Sequence, residues 1–468
     1  MITRTALRLA AEHSEGERDP AATAREALAL AERLQPRFNA FAEIDTAGAT
    51  AAAEEIGRRV AAGEEAGPLA GVPVSVKDIL DVAGLPTRWG SRLLAGAAPA
   101  KTDVAAVARL RRAGAVILGK TTTTEFAHSP LSTSPLTGTT RNPWALDLTP
   151  GGSSSGAGVA VATGITPVAL ATDAGCSTRL PAACTAVYGL KPTLGRIPHD
   201  RVPDAFGTFI HLGLLARNLA DLGAALDAVA GPHPADPNSL RAPVGTGTAA
   251  APGDLSGTRV LVWMRVGNRK VSEEVRASVE RAAAALREAG AEVAEAAYDL
   301  AHPDPVWRVL QQANWASRFA ATPAEDRAKL DGTLNAGIDE ALGYSGLDLS
   351  RAQAKRTELF RAVQGRFGEH DLILTPCLSA PPVAAEYDLR APLVIDGEEV
   401  GDLRAEWTPA LSLFDLTGHP ALAVPAGFAG NGGPLGVQLA APWYDERSLF
   451  RAAEAMARAL PVPVWREG

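Results

Sequence analysis

Two small-residue turns in this chain each present a hydroxyl, and a lysine ends an apolar run well upstream of both. The first turn is Gly151-Gly-Ser-Ser-Ser-Gly156, and the second, Ala174-Gly-Cys-Ser-Thr178, places Ser177 24 residues after Ser153. An Ala/Val-rich segment joins them. Small residues let two backbones approach closely, so one hydroxyl can serve as nucleophile while the other relays protons. A base is still required. Gly71-Val-Pro-Val-Ser-Val-Lys77-Asp78 offers one, because burial disfavours the ammonium form and can leave a lysine neutral at working pH. Each piece also has an ordinary reading when taken alone: a turn serine, a flexible Gly/Ser loop, a solvated lysine.

Their joint occurrence resembles the Ser–cis-Ser–Lys triad of the amidase signature family, with Lys77, Ser153 and Ser177 in the three places. The likeness is carried by further blocks in order. These are Leu69–Asp78 around the lysine, Gly189-Leu-Lys-Pro-Thr193 after the second turn, and Leu416–Pro425 near the C-terminus, so that it extends from about Asn39 to about Ala459. The resemblance implies that Ser177 is the nucleophile, that Ser153 follows a cis Gly152–Ser153 peptide and relays protons, and that neutral Lys77 is the base. It also implies an oxyanion hole formed by the amides of Ala174, Gly175, Cys176 and Ser177, with Ser154, Asp173 and Arg179 as supports.

Several positions depart from the family pattern. Cys176 stands where glycine is usual, Thr122 where asparagine is usual, His211 where aspartate is common and Asp415 where asparagine is common. Ser155, Gly156 and Ala157 replace a more usual Gly-Gly-Ser, and Thr185 occupies a place often held by cysteine. None removes the triad. Cys176 is expected to touch the oxyanion turn and restrict its dihedrals, and either to narrow the acyl pocket or to reduce activity.

The elements that must position these groups are partly legible. Residues 20–63 have helical spacing, broken near Gln35-Pro36. Val72–Val76 reads as a strand delivering Lys77. A helix is expected after Thr102-Asp103 with Val104, Val107 and Leu110 inward, ended by Gly114, and Ala115–Leu118 then reads as a buried strand. Arg259–Met264, a helix capped by Ser272, and a strand opening at Val293 repeat the order. Leu372–Thr375 reads as another strand and Ser448–Leu460 as a terminal helix, while the Gly/Pro/Ala-rich 231–257 stretch is expected to be a surface crossover. Strand–helix–strand order predicts a mixed sheet covered by helices, hence an α/β class. The expected organisation is one large α/β/α domain, 66–468, with an N-terminal helical segment, 1–65, packed on it.

Gly114-Ala-Val-Ile-Leu-Gly-Lys120-Thr121 also matches the pattern of a phosphate-binding loop. That loop must lie between a strand and a helix, whereas here Ala115–Leu118 reads as the strand itself, so nucleotide binding is not expected.

The 468 residues are 46% hydrophobic and 21% charged with a net charge of −8, which suits a soluble globular chain and speaks against nucleic acid as a partner. No signal peptide or membrane span is apparent, and Cys176, Cys184 and Cys377 show neither disulfide nor zinc spacing, so a cytoplasmic protein without metal or cofactor is expected. The expected activity is hydrolysis of a small carboxylic amide to an acid and ammonia or an amine. Alternatives are the glutaminase subunit of a tRNA-dependent amidotransferase, a catalytically silent scaffold, and an esterase or acyl transferase using the same acyl-enzyme. Phe126, Phe206 and Trp407, with Arg88, Trp89 and Trp315, are candidate pocket residues. A homodimer is the only assembly expectation.

Overall fold

The structure, a computed structural model, describes residues 4–241, 254–298 and 300–467. Part of the 231–257 crossover therefore lies outside the described residues. In chain order the strands begin with β1 (Phe41–Ile44), β2 (Pro73–Lys77), β3 (Val116–Thr121), the short pair β4 (Thr133–Ser134) and β5 (Gly138–Thr139), and β6 (Val168–Asp173). They continue with β7 (Tyr188–Lys191), β8 (His211–Ala216), β9 (Arg259–Val262), β10 (Glu292–Glu295) and β11 (Leu372–Pro376). Last come β12 (Pro392–Ile395), β13 (Glu398–Asp402), β14 (Ala421–Phe428) and β15 (Pro434–Ala440). Eleven of them form one sheet in the order β1-β3-β2-β6-β8-β7-β14-β15-β11-β9-β10. It is mixed: β3, β2 and β6 run parallel, as do β11, β9 and β10, and the strands between them pair antiparallel.

Side-chain alternation divides the core into two layers. Val74 and Val76 of β2, Ile117 of β3, and Val168 and Leu170 of β6 face a cluster built with helices 105–112, 219–229, 273–288 and 446–457. The intervening residues, Ala169 and Ala171, face the opposite layer with Ala157, Val161 and Leu180. Both faces are covered, which is why these strands read as nearly continuous apolar runs. The helix Ser155–Ala162 is buried on every side and has no polar stripe. Its small residues let it lie directly against the sheet.

The expected strands and caps at 73–77, 116–121, 259–262 and 372–376 are present, and Ser272 accepts the Val275 amide at 3.3 Å. Two details differ from the sequence reading. Helix Pro20–Phe38 runs through Pro36 and ends only at Asn39, whose φ is 52°. Proline lacks one donor, but in the last helical turn that loss is small. Residues 41–44, inside the stretch read as helical, form β1 and add an antiparallel edge to the sheet, its amide at Phe41 held by the Gln35 side chain at 2.9 Å. The phosphate-loop lookalike is β3 itself, and its Lys120 is buried against Asp78 at 3.0 Å. Among the described residues no helix is long and apolar enough to cross a membrane.

Candidate functional site

Lys77 is the last residue of β2 and has no exposed surface. Its Nζ donates to Ser153 Oγ at 2.6 Å and to Thr172 Oγ1 at 3.1 Å. No carboxylate pairs with it among the described residues. Burial therefore dominates and brings its pKa down to about 7, with the more distant charge of Asp173 working the other way. Thr172 was missed in the sequence reading. The only available signal was its place next to Asp173 at the end of a strand adjacent to β2.

The first hydroxyl turn approaches from the layer opposite Val74 and Val76. The Gly152–Ser153 peptide is cis, and Ser153 and Ser154 are buried. Gly152 is required by packing: a Cβ there would lie 1.7 Å from the Leu131 carbonyl oxygen, while its own amide donates to Pro130 O at 2.7 Å. The Ser154 amide donates to Ser177 O at 3.3 Å, which joins the two turns directly.

Ser177 follows β6 and retains 8% of its surface, unlike Ser153 and Lys77. The turn carrying it is clamped from behind. Asp173 Oδ2 accepts the Thr178 amide at 3.1 Å, the Arg179 amide at 3.3 Å and Arg179 Nε at 2.8 Å. Arg179 spends its other nitrogens on Gln438 Oε1 and Asp415 Oδ2, each at 2.6 Å. Burial disfavours the Asp173 carboxylate, but the Arg179 charge and hydrogen bonds outweigh it and hold the group well below the usual carboxylate range. Asp415 is pushed the other way, upward, by burial and by the like charge of Asp173. His211, paired across the sheet with Asp173, sits 3.3 Å from Asp415 Oδ1, and burial keeps its imidazole neutral.

The amides of Ala174, Gly175, Cys176 and Ser177 have no acceptor elsewhere in the protein among the described residues. Cys176 does not intrude on them. Its side chain lies in the core with Leu131, Leu180 and Trp407, its thiol reaches Gly152 O at 3.8 Å, and burial pushes its pKa up to about 12. Its φ is not positive, so a side chain costs the turn nothing in backbone strain. The expected restriction of the turn's dihedrals is thus not seen, and the thiol lies within electrostatic reach of Lys77 and Arg404.

The aromatic candidates separate into three groups. Phe126 stacks on Trp89 at 5.9 Å and meets Phe319 edge-on at 4.7 Å, with the Arg318 guanidinium over both Trp89 and Phe126. Trp315 packs edge-on to Trp307 at 6.1 Å. Two pocket expectations fail. Phe206 is 90% exposed on a surface turn, and Trp407 has no exposed surface, its Nε1 donating to Ala380 O at 2.9 Å within the core. Arg88 is turned to Glu43 of β1 at 2.7 Å. Trp307, unnoticed in the sequence because it lies in an ordinary amphipathic helix, donates from Nε1 to Ala174 O at 2.6 Å. A Cβ on Gly175 would come within 2.8 Å of that nitrogen, so glycine is needed for the contact.

Comparison with known proteins places the chain in a family. A sequence profile of the amidase family matches residues 22–450. The chain belongs to the amidase family. It is 33% identical over 453 residues to an acylamidase of Rhodococcus erythropolis, covering 96% of this chain and 94% of that one. It is 35% identical to one of the subunits of a glutamyl-tRNA(Gln) amidotransferase from Roseiflexus castenholzii, covering 91% of this chain and 89% of that one. The crystal structure of a bacterial aryl acylamidase superposes with a TM-score of 0.92 at 29% identity, covering 99% of each chain. The protein is an amide-hydrolysing α/β enzyme of the amidase signature type.

Proposed function

We propose that the enzyme hydrolyses a linear carboxylic amide through an acyl-enzyme on Ser177. The observation that carries this reading is the buried Lys77 Nζ placed 2.6 Å from Ser153 Oγ without a carboxylate partner. A neutral amine there can take the Ser153 proton as Ser153 takes that of Ser177, while Ser177 Oγ bonds to the substrate carbonyl carbon. The oxyanion that forms is received by amides of the Ala174–Ser177 turn, each donor contributing roughly 3–4 kcal/mol to the transition state. Reversal of the relay delivers a proton to the leaving amine as its bond to carbon breaks. Water then adds to the acyl-enzyme by the same route and releases the acid. Ser154, Asp173 and Arg179 act by holding the two turns in register.

Labelling with a fluorophosphonate, followed by peptide mapping, tests the assignment. Modification confined to Ser177 and slowed at least a hundredfold in Lys77→Ala is expected. Labelling elsewhere, or at an unchanged rate in a folded Lys77→Ala protein, overturns it. A second reading is favoured by the amidotransferase relative: release of ammonia from glutamine for a partner subunit. It predicts glutaminase activity that appears only when the partner subunits and charged tRNA are added. An ester or a hydroxylamine acceptor would use the same acyl-enzyme.

A further inference from the structure

Beside the Ser177 turn lies a cavity of about 260 Å³ lined by His128, Trp307, Arg308, Trp315, Arg390 and Arg404, among others. Trp307 is a shared wall, because its Nε1 holds Ala174 O on the other side. The cavity is rich in donors that lack a use within the protein. Arg308 is committed to Asp304 at 3.0 Å, but neither Arg390 nor Arg404 has a carboxylate within ion-pairing distance among the described residues. Arg404 gives one nitrogen to His128 O and lies over the Trp307 ring at 4.1 Å. Trp315 Nε1 is buried without a hydrogen-bond partner among the described residues. Two carboxylates also line the cavity: Glu340 accepts from Gln312 at 2.8 Å, and Asp402 accepts the Ala405 amide at 3.0 Å and lies 3.4 Å from Arg308.

An orphaned buried donor and two cations without a contact ion pair, set between indole walls and outnumbering with Arg308 the two lining carboxylates, describe a site for an anionic acceptor carried by a planar or apolar body. Resting on the amidase reading above, we infer that the preferred substrate is an amide bearing a carboxylate, which seats between Arg390, Arg404 and Trp315 Nε1 while the scissile carbonyl reaches Ser177. A guanidinium supplies paired donors to a carboxylate, and the burial of Arg404 strengthens those it offers. A neutral substrate of equal length would leave Trp315 Nε1 and both cations unanswered.

The experiment compares kcat/KM for glutaryl 4-nitroanilide against pentanoyl 4-nitroanilide, and for 4-acetamidobenzoate against acetanilide. The first pair puts the carboxylate on the acyl part, the second on the leaving amine, so the arm that responds tells which half of the substrate occupies the cavity. A preference of at least tenfold for the acid in one pair is expected. That ratio should fall toward one in Arg404→Gln, and partly in Arg390→Gln, an exposed position that folding does not depend on. Trp315→Phe, which keeps a six-membered aromatic ring but removes the pyrrole part with its donor, should lower it severalfold. Equal rates in both pairs, or a preference that survives both arginine changes, overturn the inference and leave the amidase reading standing. If none of the four compounds turns over, protection of Ser177 from the fluorophosphonate by glutarate or 4-acetamidobenzoate, but not by pentanoate or acetanilide, decides the same question. Absence of Ser177 labelling altogether would instead sink the amidase reading.

Discussion

The pH dependence of acylation follows from the Lys77 environment and can be worked out before measurement. Burial brings the lysine from its ordinary 10.5 to about 7, and only the neutral amine can accept the Ser153 proton. With that midpoint, about 1% of the enzyme is competent at pH 5, half at pH 7 and nearly all at pH 9. An unshifted lysine would be competent in only about 0.03% of molecules at pH 7, so burial raises the active fraction by about three orders of magnitude. The assay is kcat/KM for a 4-nitroanilide from pH 5 to 9.5, which reports the free enzyme rather than the acyl-enzyme. A rise of about a hundredfold with a single midpoint near 7 is expected. Lys191 is a necessary control, because burial also brings it to about 7. Its Nζ donates to His419 O at 2.6 Å and not to either serine, so Lys191→Met should leave the midpoint in place. A profile flat across this range, or a midpoint that disappears in Lys191→Met but persists in Lys77→Ala, refutes the lysine base.

Three further outcomes follow from the packing. Cys176→Ala should retain kcat within about threefold and lose about 1 kcal/mol of stability, since the thiol is a core group; a hundredfold loss of turnover in a folded protein would contradict that placement. Trp307→Phe removes the donor to Ala174 O and should lower kcat by about two- to tenfold, read by steady-state kinetics against an unchanged fluorophosphonate labelling site. The pair His211 and Asp415 should behave as a unit in chemical denaturation. Asp415→Asn alone is expected to cost under about 1 kcal/mol because burial already favours the protonated acid, and His211→Asp alone about 3 kcal/mol or more by adding a carboxylate beside Asp173 and Asp415. The double variant should recover at least half of that loss, whereas strict additivity would show that the two groups are not coupled.

The parts of the molecule that were legible are those in which local pattern and tertiary role coincide. Val74 and Val76 enter one core layer while Ser75 and Lys77 point to the other, and β6 divides in the same way into Val168 and Leu170 on one face and Ala169 and Ala171 on the other. The two turns were legible because only small residues allow the approach that Gly152 makes to Leu131 O. The strand at 41–44 was not, since a four-residue edge element after a long helix carries too few alternations to register. Pocket residues were the least legible. Trp407, Phe206 and Trp315 are equivalent as large apolar letters, yet one is sealed in the core, one is on the surface and one lines a cavity. Trp307 shows what was missing: its importance lies in a single nitrogen aimed at a carbonyl 133 residues away in sequence.

Among the described residues three lysines are fully buried near strand ends, and comparing them shows what distinguishes a base from a strut. Lys120 on β3 faces Asp78 at 3.0 Å, so although burial lowers the lysine and raises the carboxyl, losing its proton would strand a buried carboxylate. Lys191 ends β7 and loses its charge as readily as Lys77, but its partner is the His419 carbonyl, which has no proton to give. Lys120 also reaches a hydroxyl, Thr87 at 3.0 Å, but it carries the Asp78 carboxylate as well; Lys77 alone among the three combines hydroxyl acceptors with the absence of an ion-pair partner, and one of those hydroxyls, Ser153, is tied through the next residue's amide to the turn that carries Ser177. A lowered pKa is therefore shared and does not by itself define the site. What defines it is a neutral amine whose neighbour can both donate and accept a proton, and that arrangement depends on the Gly152–Ser153 turn reaching β2 rather than on anything written around Lys77.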